Sequence, residues 1–571
     1  MRFPRVLSLL SMLALGIGTK SAVGASMPWA ADGALASISP GAYYDLYAVP
    51  DGAGGVLLGW EYLAPGANKY VAMIQRLNGA GQVAPGWASN GTRVCPIDSA
   101  QSYMRIAPDK HGGLFVVWID KRLPDTSQVY LQHFGATGQV AAGWPSAGVS
   151  VFSGGEDPPE FPHVEPDDAG GCYVTWHHSR AGNLSRMRVQ RFTAAAVPAE
   201  GWPEGGVLAT SSVTDQEIPG IIGRFTQPDG AGGVYLSWRE YVSSKPMVFV
   251  QRIGPNHLPG MGWPENGIQI SNPALLQNGA GIAALESDGL GGVFVLWARD
   301  SLCVTRIQRN GTQPSGWPVN GVAVGVSGGA ASLRADGFGG AYVAFSGPSG
   351  SFRVSHVTSA AQIASGWAEG GTVLGTVNGV IGATGIVLGP GGSAIFSWGN
   401  LGAGPTTTLA KSPTGGAVAG WPVGGFTLSA LGTDGAPYGV VPDDAMGTIV
   451  AWTDSRFPGQ GAVYAARVSV VGDVQVGVDP TATAAALGLD VHTPCFVQDG
   501  MTLRFALVAG SDARLQLFDV QGRVQYMRDL RSSGSEATSG QVTVHPSGPG
   551  IYFARLSQGP LSRTVKVAVL R

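Results

Sequence analysis

The side chains best suited to chemistry fall within one short stretch of the chain. They are Asp157, Glu160, His163, His177 and His178. Carboxylates and imidazoles of this kind bind metal ions or work as acid–base pairs. No His-x-x-x-His or comparable ligand spacing accompanies them, so we interpret them as solvated loop residues that are candidates for ligand binding. We predict no catalytic residue set, no metal site and no cofactor.

A short turn motif, Asp-x-x-Gly-Gly, supplies repeated carboxylates that suggest calcium. Calcium takes about six to eight oxygen ligands, which short loops supply from several carboxylates at alternating positions. Here each turn generally has one or two aspartates and the seventh has none. We therefore predict hairpin turns, in which glycines supply positive φ and the Asp side chain binds its own backbone. The turns begin at Asp51, Asp109, Asp167, Asp229, Asp288, Asp336, a degenerate Gly389, and Asp443.

The turns belong to a repeated unit of about 55 residues. Each turn is followed by an apolar run, such as Val234 to Trp238, which is too short for a helix and ends in an aromatic residue. A second motif, Gly-or-Pro-Trp-x-x-x-Gly, leads into a further short strand in each unit. With its flanking segments the unit holds four strands, as a propeller blade does. The tryptophans of the second motif are Trp29, Trp87, Trp144, Trp202, Trp263, Trp317, Trp367 and Trp421.

The phase of the two motifs predicts how the repeats close. The chain begins with a Trp-x-x-x-Gly element at Trp29, and its last turn unit, at Asp443, has no such element of its own. An N-terminal segment that supplies the outer strand of the last blade would remove the exposed edges. We therefore predict an all-β fold: an eight-bladed β-propeller closed by an N-terminal strand near Gly33 to Ser37, paired with Val463 to Val470.

The aromatic and charged residues limit the classes of ligand. The two repeated motifs account for all 15 tryptophans, so we expect these side chains to be structural and not a ligand platform. Lys and Arg total 35 against 38 for Asp and Glu, which gives no basic footprint for nucleic acid. Four widely separated cysteines show no metal-ligand spacing, and we interpret Cys172 as a small core hydrophobe.

The N-terminus has the pattern of a secretory signal. Arg2 and Arg5 precede an uncharged run from Val6 to Ile17, and a small-residue cleavage site follows at Val23 to Ala25. The apolar run is shorter than the roughly 20 residues that a membrane span needs. We predict a signal peptide at residues 1–25, a propeller at 26–478, a linker at 479–489 and a C-terminal domain at 490–571, with no transmembrane segment.

The C-terminal domain carries three recognisable runs of residues. They are Leu515 to Val524, Gly550 to Leu556, and a basic β segment that ends at Arg571. Together they resemble the C-terminal sorting domain of the type IX (Por) secretion system and its relatives with an Ig-like fold. The resemblance covers roughly the last 75 residues. It implies a small Ig-like β-sandwich, the secretion machinery as a partner, and delivery to the medium or the outer surface of a Gram-negative-type bacterium.

The repeats are similar to the tandem repeats of exported bacterial proteins that carry such a C-terminal domain. That resemblance implies no particular ligand. Irregular loops at the end opposite the Asp turns are the natural place for binding. We favour a monomeric, non-enzymatic module that binds an extracellular glycan, peptide or envelope component. The alternative is a secreted polysaccharide hydrolase or lyase with its site on the loop-bearing face, for which paired carboxylates about 5–10 Å apart would be the evidence.

Overall fold

The computed structural model describes two compact units, residues 1–471 and 472–571. Within them it describes residues 24–26, 29, 33–123, 126–152, 159–180, 184–212, 214, 216–217, 225–242, 245–271, 281–298, 300–326, 329–377, 381–400, 406–428, 439–457, 460–471, 488–491, 495–496, 501–507, 512–519, 523–531, 538–546, 548, 550–558 and 561–570. The predicted signal peptide and linker therefore lie largely outside the described residues. Both units are built from β-strands.

The first unit contains 34 strands in its described part. In chain order they are β1 (Gly24–Ser26), β2 (Ala34–Pro40), β3 (Ala42–Pro50), β4 (Val56–Leu63), β5 (Val71–Leu77), β6 (Thr92–Arg93), β7 (Gln101–Pro108), β8 (Leu114–Leu123), β9 (Thr126–Phe134), β10 (Val149–Phe152), β11 (Pro159–Pro166), β12 (Cys172–Arg180), β13 (Leu184–Phe192), β14 (Val207–Leu208), β15 (Gln216–Glu217), β16 (Thr226–Pro228), β17 (Val234–Val242), β18 (Lys245–Ile253), β19 (Ile268–Gln269), β20 (Gly281–Ser287), β21 (Val293–Ala298), β22 (Leu302–Ile307), β23 (Val322–Gly325), β24 (Ala331–Ala335), β25 (Ala341–Ser346), β26 (Ser351–Val357), β27 (Thr372–Thr376), β28 (Ile381–Leu388), β29 (Ala394–Asn400), β30 (Thr407–Lys411), β31 (Phe426–Thr427), β32 (Gly439–Pro442), β33 (Thr448–Phe457) and β34 (Gln460–Val471). Short 3₁₀ turns lie at Pro348–Gly350 and Pro390–Gly392.

These strands form antiparallel sheets that follow one another along the chain, a propeller-like arrangement. The first sheet is β3 to β6, the second β7 to β10, the third β11 to β14, the fourth β15 to β19, the fifth β20 to β23, the sixth β24 to β27, and the seventh β28 to β31. The eighth holds β32, β33 and β34 together with β1 and β2 from the N-terminus. The first strand of each sheet contacts the first strand of the next, except that β16 makes these contacts for the fourth sheet, and β32 also contacts β3.

The Asp turns are held by their own carboxylates. In the first turn Asp51 Oδ1 accepts the Ala53 and Gly55 N–H groups at 2.8 and 2.7 Å. Its Oδ2 accepts the Arg76 Nε–H at 3.0 Å. A Cβ at Gly55 would lie 2.2 Å from the Leu77 carbonyl oxygen, which explains the second glycine of the motif. At six further turns the Asp Oδ1 likewise accepts the N–H of the glycine four residues on, so turn chemistry is confirmed; these aspartates are Asp109, Asp167, Asp229, Asp288, Asp336 and Asp443.

The Trp-x-x-x-Gly motif joins neighbouring sheets. Trp87 of the first sheet donates its indole N–H to the Ala136 carbonyl of the second at 2.9 Å. Trp29 does the same toward Gly79 of the first sheet at 3.0 Å, from its place beside the eighth. The motif's glycine lies against the buried strand-end aromatic residue, since a Cβ on Gly33 would be 2.7 Å from the Trp452 ring. The structural role predicted for these tryptophans is confirmed.

The N-terminal strands complete the eighth sheet, as the phase of the motifs predicts. In β2, Ala34 pairs with Ala465 and Ser37 with Val463, while β1 pairs with the end of β34. The Arg467 guanidinium donates to the Gly79 carbonyl of the first sheet at 2.9 Å. The two ends of the first unit are thus joined both by strand pairing and by side chains.

The second unit has two sheets. Its strands are β35 (Gly488–Val491), β36 (Cys495–Phe496), β37 (Met501–Leu507), β38 (Ala513–Asp519), β39 (Val524–Leu530), β40 (Thr538–Val544), β41 (Gly550–Gln558) and β42 (Leu561–Leu570). One sheet has the order β35, β37, β40 and the other β36, β42, β41, β38, β39. One apolar core draws on both, with Leu503 and Val542 from the first sheet and Leu515, Leu556 and Val567 from the second.

Candidate functional site

The titratable residues singled out from the sequence lie mainly on the strands of the third sheet. Glu160 on β11 and His177 on β12 are directly paired, and His177 Nδ1 lies 4.0 Å from the Glu160 carboxylate. The other ring nitrogen of His177, Nε2, is hydrogen-bonded to the Gln216 carbonyl oxygen of the fourth sheet. The structure therefore brings one acid–imidazole pair together, at the contact between two sheets. Asp157 lies outside the described residues.

The other two histidines pack against aromatic rings. The ring centroid of His163 is 5.8 Å from that of Phe225, and His178 is 4.7 Å from Phe152, both edge-on. The expectation of solvated loop residues is wrong for His163, His177 and His178, which are buried. The reason is that β12 continues past Trp176 and carries His177 and His178 into the contacts between sheets, while His163 lies within β11, opposite Thr175.

A different cluster, which the sequence did not predict, lies at the end of the first sheet opposite its Asp turn. It consists of Tyr43 and Tyr44 on β3, Tyr62 on β4, and Tyr70, and we call it the tyrosine surface. The ring centroids of Tyr43 and Tyr62 are 5.3 Å apart, and those of Tyr44 and Tyr70 are 5.4 Å apart. Tyr44 is 45% exposed. The surface thus presents partly exposed aromatic rings in two edge-on pairs.

Two openings adjoin the tyrosine surface on either side of the loop at residues 64–67. The larger has a volume of about 630 Å³ and is lined by Tyr43, Tyr44, and Thr453 and Gln460 of the eighth sheet. The smaller has a volume of about 450 Å³ and is lined in part by Tyr62. Its polar lining residues are Asn68, Lys69, Arg93 and Asp98.

The closure of the first unit positions these rings. The Tyr62 hydroxyl donates to the Pro40 carbonyl at 2.5 Å, and the Tyr43 and Ser37 hydroxyls lie 3.2 Å apart. Gly461 of the eighth sheet leaves room for Tyr43, because a Cβ there would lie 2.3 Å from its ring. The surface therefore depends on β2 and β34 as well as on the strands that carry the tyrosines.

A buried carboxyl group lies next to the tyrosine surface. Glu61 follows Trp60 in β4 and is 5% exposed, and its Oε1 accepts the Met104 N–H of β7 at 3.2 Å. Burial raises the pKa of Glu61 to about 7, and the charge of Asp45 adds to this, while the Met104 N–H and Arg105 oppose it. The Arg105 guanidinium lies 4.3 Å above the Tyr47 ring. Glu61 thus joins the first sheet to the second, just as His177 joins the third sheet to the fourth.

The acid in the larger opening is already committed to protein groups. Burial alone would raise the pKa of Asp454, but hydrogen bonds from Arg456 and Trp452 lower it overall. The Trp452 indole N–H donates to Asp454 Oδ2 at 3.2 Å and the Arg456 Nε–H at 2.8 Å. This carboxylate is therefore bound to residues of its own strand, β33, and is held in its charged form.

A local signal for the tyrosine surface was present in the sequence. Eight and seven residues before the turn Asp, the first repeat has Tyr43 and Tyr44, whereas the second has Gln101 and Ser102. Every tryptophan is used by the repeat, so the tryptophans give no sign of an aromatic surface. The tyrosines at these two positions are the signal that distinguishes the first repeat from the second.

Comparison with known proteins gives low similarity throughout. No family model matches the chain, and no curated protein matches it. Among solved structures, Hadza microbial sialidase Hz136 aligns with a TM-score of 0.29 and 9% identity over 53% of this chain and 63% of that one. A polysaccharide lyase of family PL25, an ulvan lyase, aligns with a TM-score of 0.35 and 10% identity over 52% and 75%.

A third solved structure is PorZ, a bacterial surface component of the type IX secretion system of Porphyromonas gingivalis. It aligns with a TM-score of 0.21 and 12% identity over 92% of this chain and 81% of that one. At these identities and TM-scores we draw neither ligand nor activity from the neighbours. Among the described residues, no helix has the length and apolar character that a membrane crossing requires.

Proposed function

We propose that the chain is an exported binding protein that uses the tyrosine surface to hold a glycan. In this proposal the first unit is an eight-bladed β-propeller closed by β2, and the second is an Ig-like sorting domain. The pairing of β2 with β34 and the contact between β32 and β3 support the closed ring. The function rests on one observation, the group of four tyrosines beside an opening of about 630 Å³.

The chemistry of tyrosine suits a saccharide. A tyrosine ring is a large apolar surface with a polar hydroxyl at its edge, and it loses little conformational freedom when it is immobilised. A sugar ring likewise has an apolar C–H face and a rim of hydroxyl groups. The volume of the larger opening falls within the roughly 300–1,000 Å³ of small-molecule sites. Thr453 and Gln460 add hydrogen-bonding groups at its wall.

Binding fits the surface better than hydrolysis or elimination. An enzyme of the glycosidase type needs two carboxyl groups about 5–10 Å apart that face the substrate. At this surface Asp454 is committed to Arg456 and Trp452, and Glu61 is buried against Met104. The Glu160–His177 pair is a further candidate for acid–base work among the described residues, yet His177 Nε2 is hydrogen-bonded to the Gln216 carbonyl oxygen.

The test is a calorimetric titration of a panel of plant, algal and bacterial oligosaccharides. We expect at least one to bind, and Tyr44→Ala to weaken it by about tenfold, which corresponds to about 1.4 kcal/mol. Tyr241→Ala is the matched control, because Tyr241 is 40% exposed and lies on the fourth sheet. Equal affinity in wild type and Tyr44→Ala, or equal loss in both variants, would overturn this site.

Turnover of a bound oligosaccharide would instead support the alternative function. In that case Glu160→Gln and His177→Ala identify whether the acid–imidazole pair of the third sheet carries it. We expect neither substitution to change glycan affinity, since both residues lie on a different sheet from the tyrosine surface.

A further inference from the structure

The smaller opening adds positive charge to the tyrosine surface. Lys69 and Arg93 line it together with Asp98 and the Tyr62 ring. Lys69 Nζ lies 3.4 Å from the Asp98 carboxylate, with the two side chains 44% and 84% exposed. An exposed ion pair of this kind contributes little to stability. A ligand anion can therefore replace Asp98 as the partner of Lys69 at little cost.

Arg93 offers a second cation suited to an oxyanion. Its guanidinium Nη2 reaches the Ile97 carbonyl at 3.5 Å, at the limit of a hydrogen bond, and the residue is exposed. Guanidinium groups bind carboxylates and sulfates through two parallel N–H bonds. The smaller opening therefore contains two cations and one anion. Of the other acids near the tyrosine surface, Asp454 is ion-paired and Glu61 is buried, while Asp45 follows Tyr44 on β3.

We infer that the ligand is an anionic saccharide, whose carboxylate or sulfate binds Lys69 and Arg93 while its sugar rings pack on Tyr62 and Tyr44. This rests on the proposed glycan-binding function. The two openings share the loop at residues 64–67 as a common wall. The Tyr43–Tyr62 contact joins their aromatic linings. An oligosaccharide of several sugars can therefore occupy both.

The experiment compares saccharides that differ only in charge. One arm uses oligogalacturonate and the same oligosaccharide with its carboxylates methyl-esterified. The other arm uses a κ-carrageenan oligosaccharide and its desulfated form. We expect the charged member of at least one pair to bind about tenfold more tightly, and we expect that advantage to shrink as NaCl is raised to 0.5 M, since salt screens exposed charges.

Variants assign the effect to the two cations. The double variant Lys69→Gln/Arg93→Gln should bind the charged and neutral forms equally. Lys121→Gln, an exposed lysine on the second sheet, should behave as wild type. If the double variant melts at a lower temperature than wild type, Lys69→Gln alone, with the salt dependence, carries the test.

The outcomes separate this inference from the function on which it rests. Equal binding of charged and neutral forms, with loss in Tyr44→Ala, overturns the charge inference and keeps the glycan function. Binding of none of the four probes overturns the charge inference, and the wider oligosaccharide panel then decides the glycan function by itself. A preference for charge that survives in the double variant overturns the assignment to Lys69 and Arg93.

Discussion

At the scale of single residues, aromatic side chains have two different positions in this molecule: some are buried between sheets and stabilise the fold, and others remain partly exposed. Strand-end tryptophans such as Trp60 and Trp118 are fully buried and fill the space between sheets. Tyr44 has no such role and stays partly exposed. Cys172, predicted to be a core hydrophobe, is fully buried, and burial raises the pKa of its thiol. Function is therefore expected at residues that the repeat does not use for packing.

Glu61 makes the stability of the first unit depend on pH. Its pKa is raised from 4.5 to about 7, so the folded protein retains a proton that the unfolded chain has released. Stability therefore falls as the pH rises from about 4.5 to 7. Glu61→Gln cannot ionise and keeps an oxygen that can accept the Met104 N–H. We expect it to match wild type at pH 4 and to be more stable at pH 8, by up to about 3 kcal/mol.

Chemical denaturation at several pH values measures this difference. Glu369→Gln is the control for the same substitution at an exposed position. A Glu61→Gln variant whose stability follows that of wild type at every pH would show that the pKa of Glu61 is the same in the folded and the unfolded protein.

At the scale of elements, β2 connects closure with the tyrosine surface. It covers the edge of β34, and its Ser37 and Pro40 contact the tyrosine hydroxyls. Deletion of residues 26–40 should expose that edge and remove Trp29 from its packing site. We expect a loss of several kcal/mol of stability and weaker glycan binding, measured by thermal unfolding and calorimetry.

A milder variant separates the two consequences of that deletion. Trp29→Phe keeps an aromatic ring but removes the indole N–H that donates to Gly79. We expect it to lower stability by about 1 kcal/mol and to leave glycan affinity unchanged, because Trp29 does not line either opening. Unchanged stability in the deletion variant would refute the role of β2 in closure.

The strands and turns were largely predictable from the sequence because the same motifs recur from repeat to repeat. The Asp turns and the offset of Trp29 from Asp443 predict the turns, the strands and the pairing of β2 with β34. The features that the sequence did not predict depend on side chains that differ between repeats. The extension of β12 past Trp176, which buries His177 and His178, has no pattern in the local sequence. The tyrosine surface arises only when residues 43 and 461, far apart in the chain, are brought together.

At the scale of the whole molecule, the chain combines two units with separate cores. The first unit has joined ends, and β34 finishes at Val471, where β1 pairs with it. The second has its own two-sheet core around Leu515 and Leu556. Because a unit with its own core can fold alone, the proposed binding function and the proposed sorting function can belong to separate units.

A chain shortened after Val478 tests that division. It keeps every strand of the first unit, so we expect it to unfold cooperatively and with a β-rich circular dichroism spectrum, and to bind glycan as the full chain does. In the cell it should fail to reach the medium or the outer surface, since the proposed sorting domain is gone. The two readouts are independent, because folding and binding are measured on purified protein and delivery on fractionated cells. Loss of folding would show that the units are not separable, whereas normal delivery of a folded, binding-competent short chain would show that residues 490–571 do not act as the sorting signal.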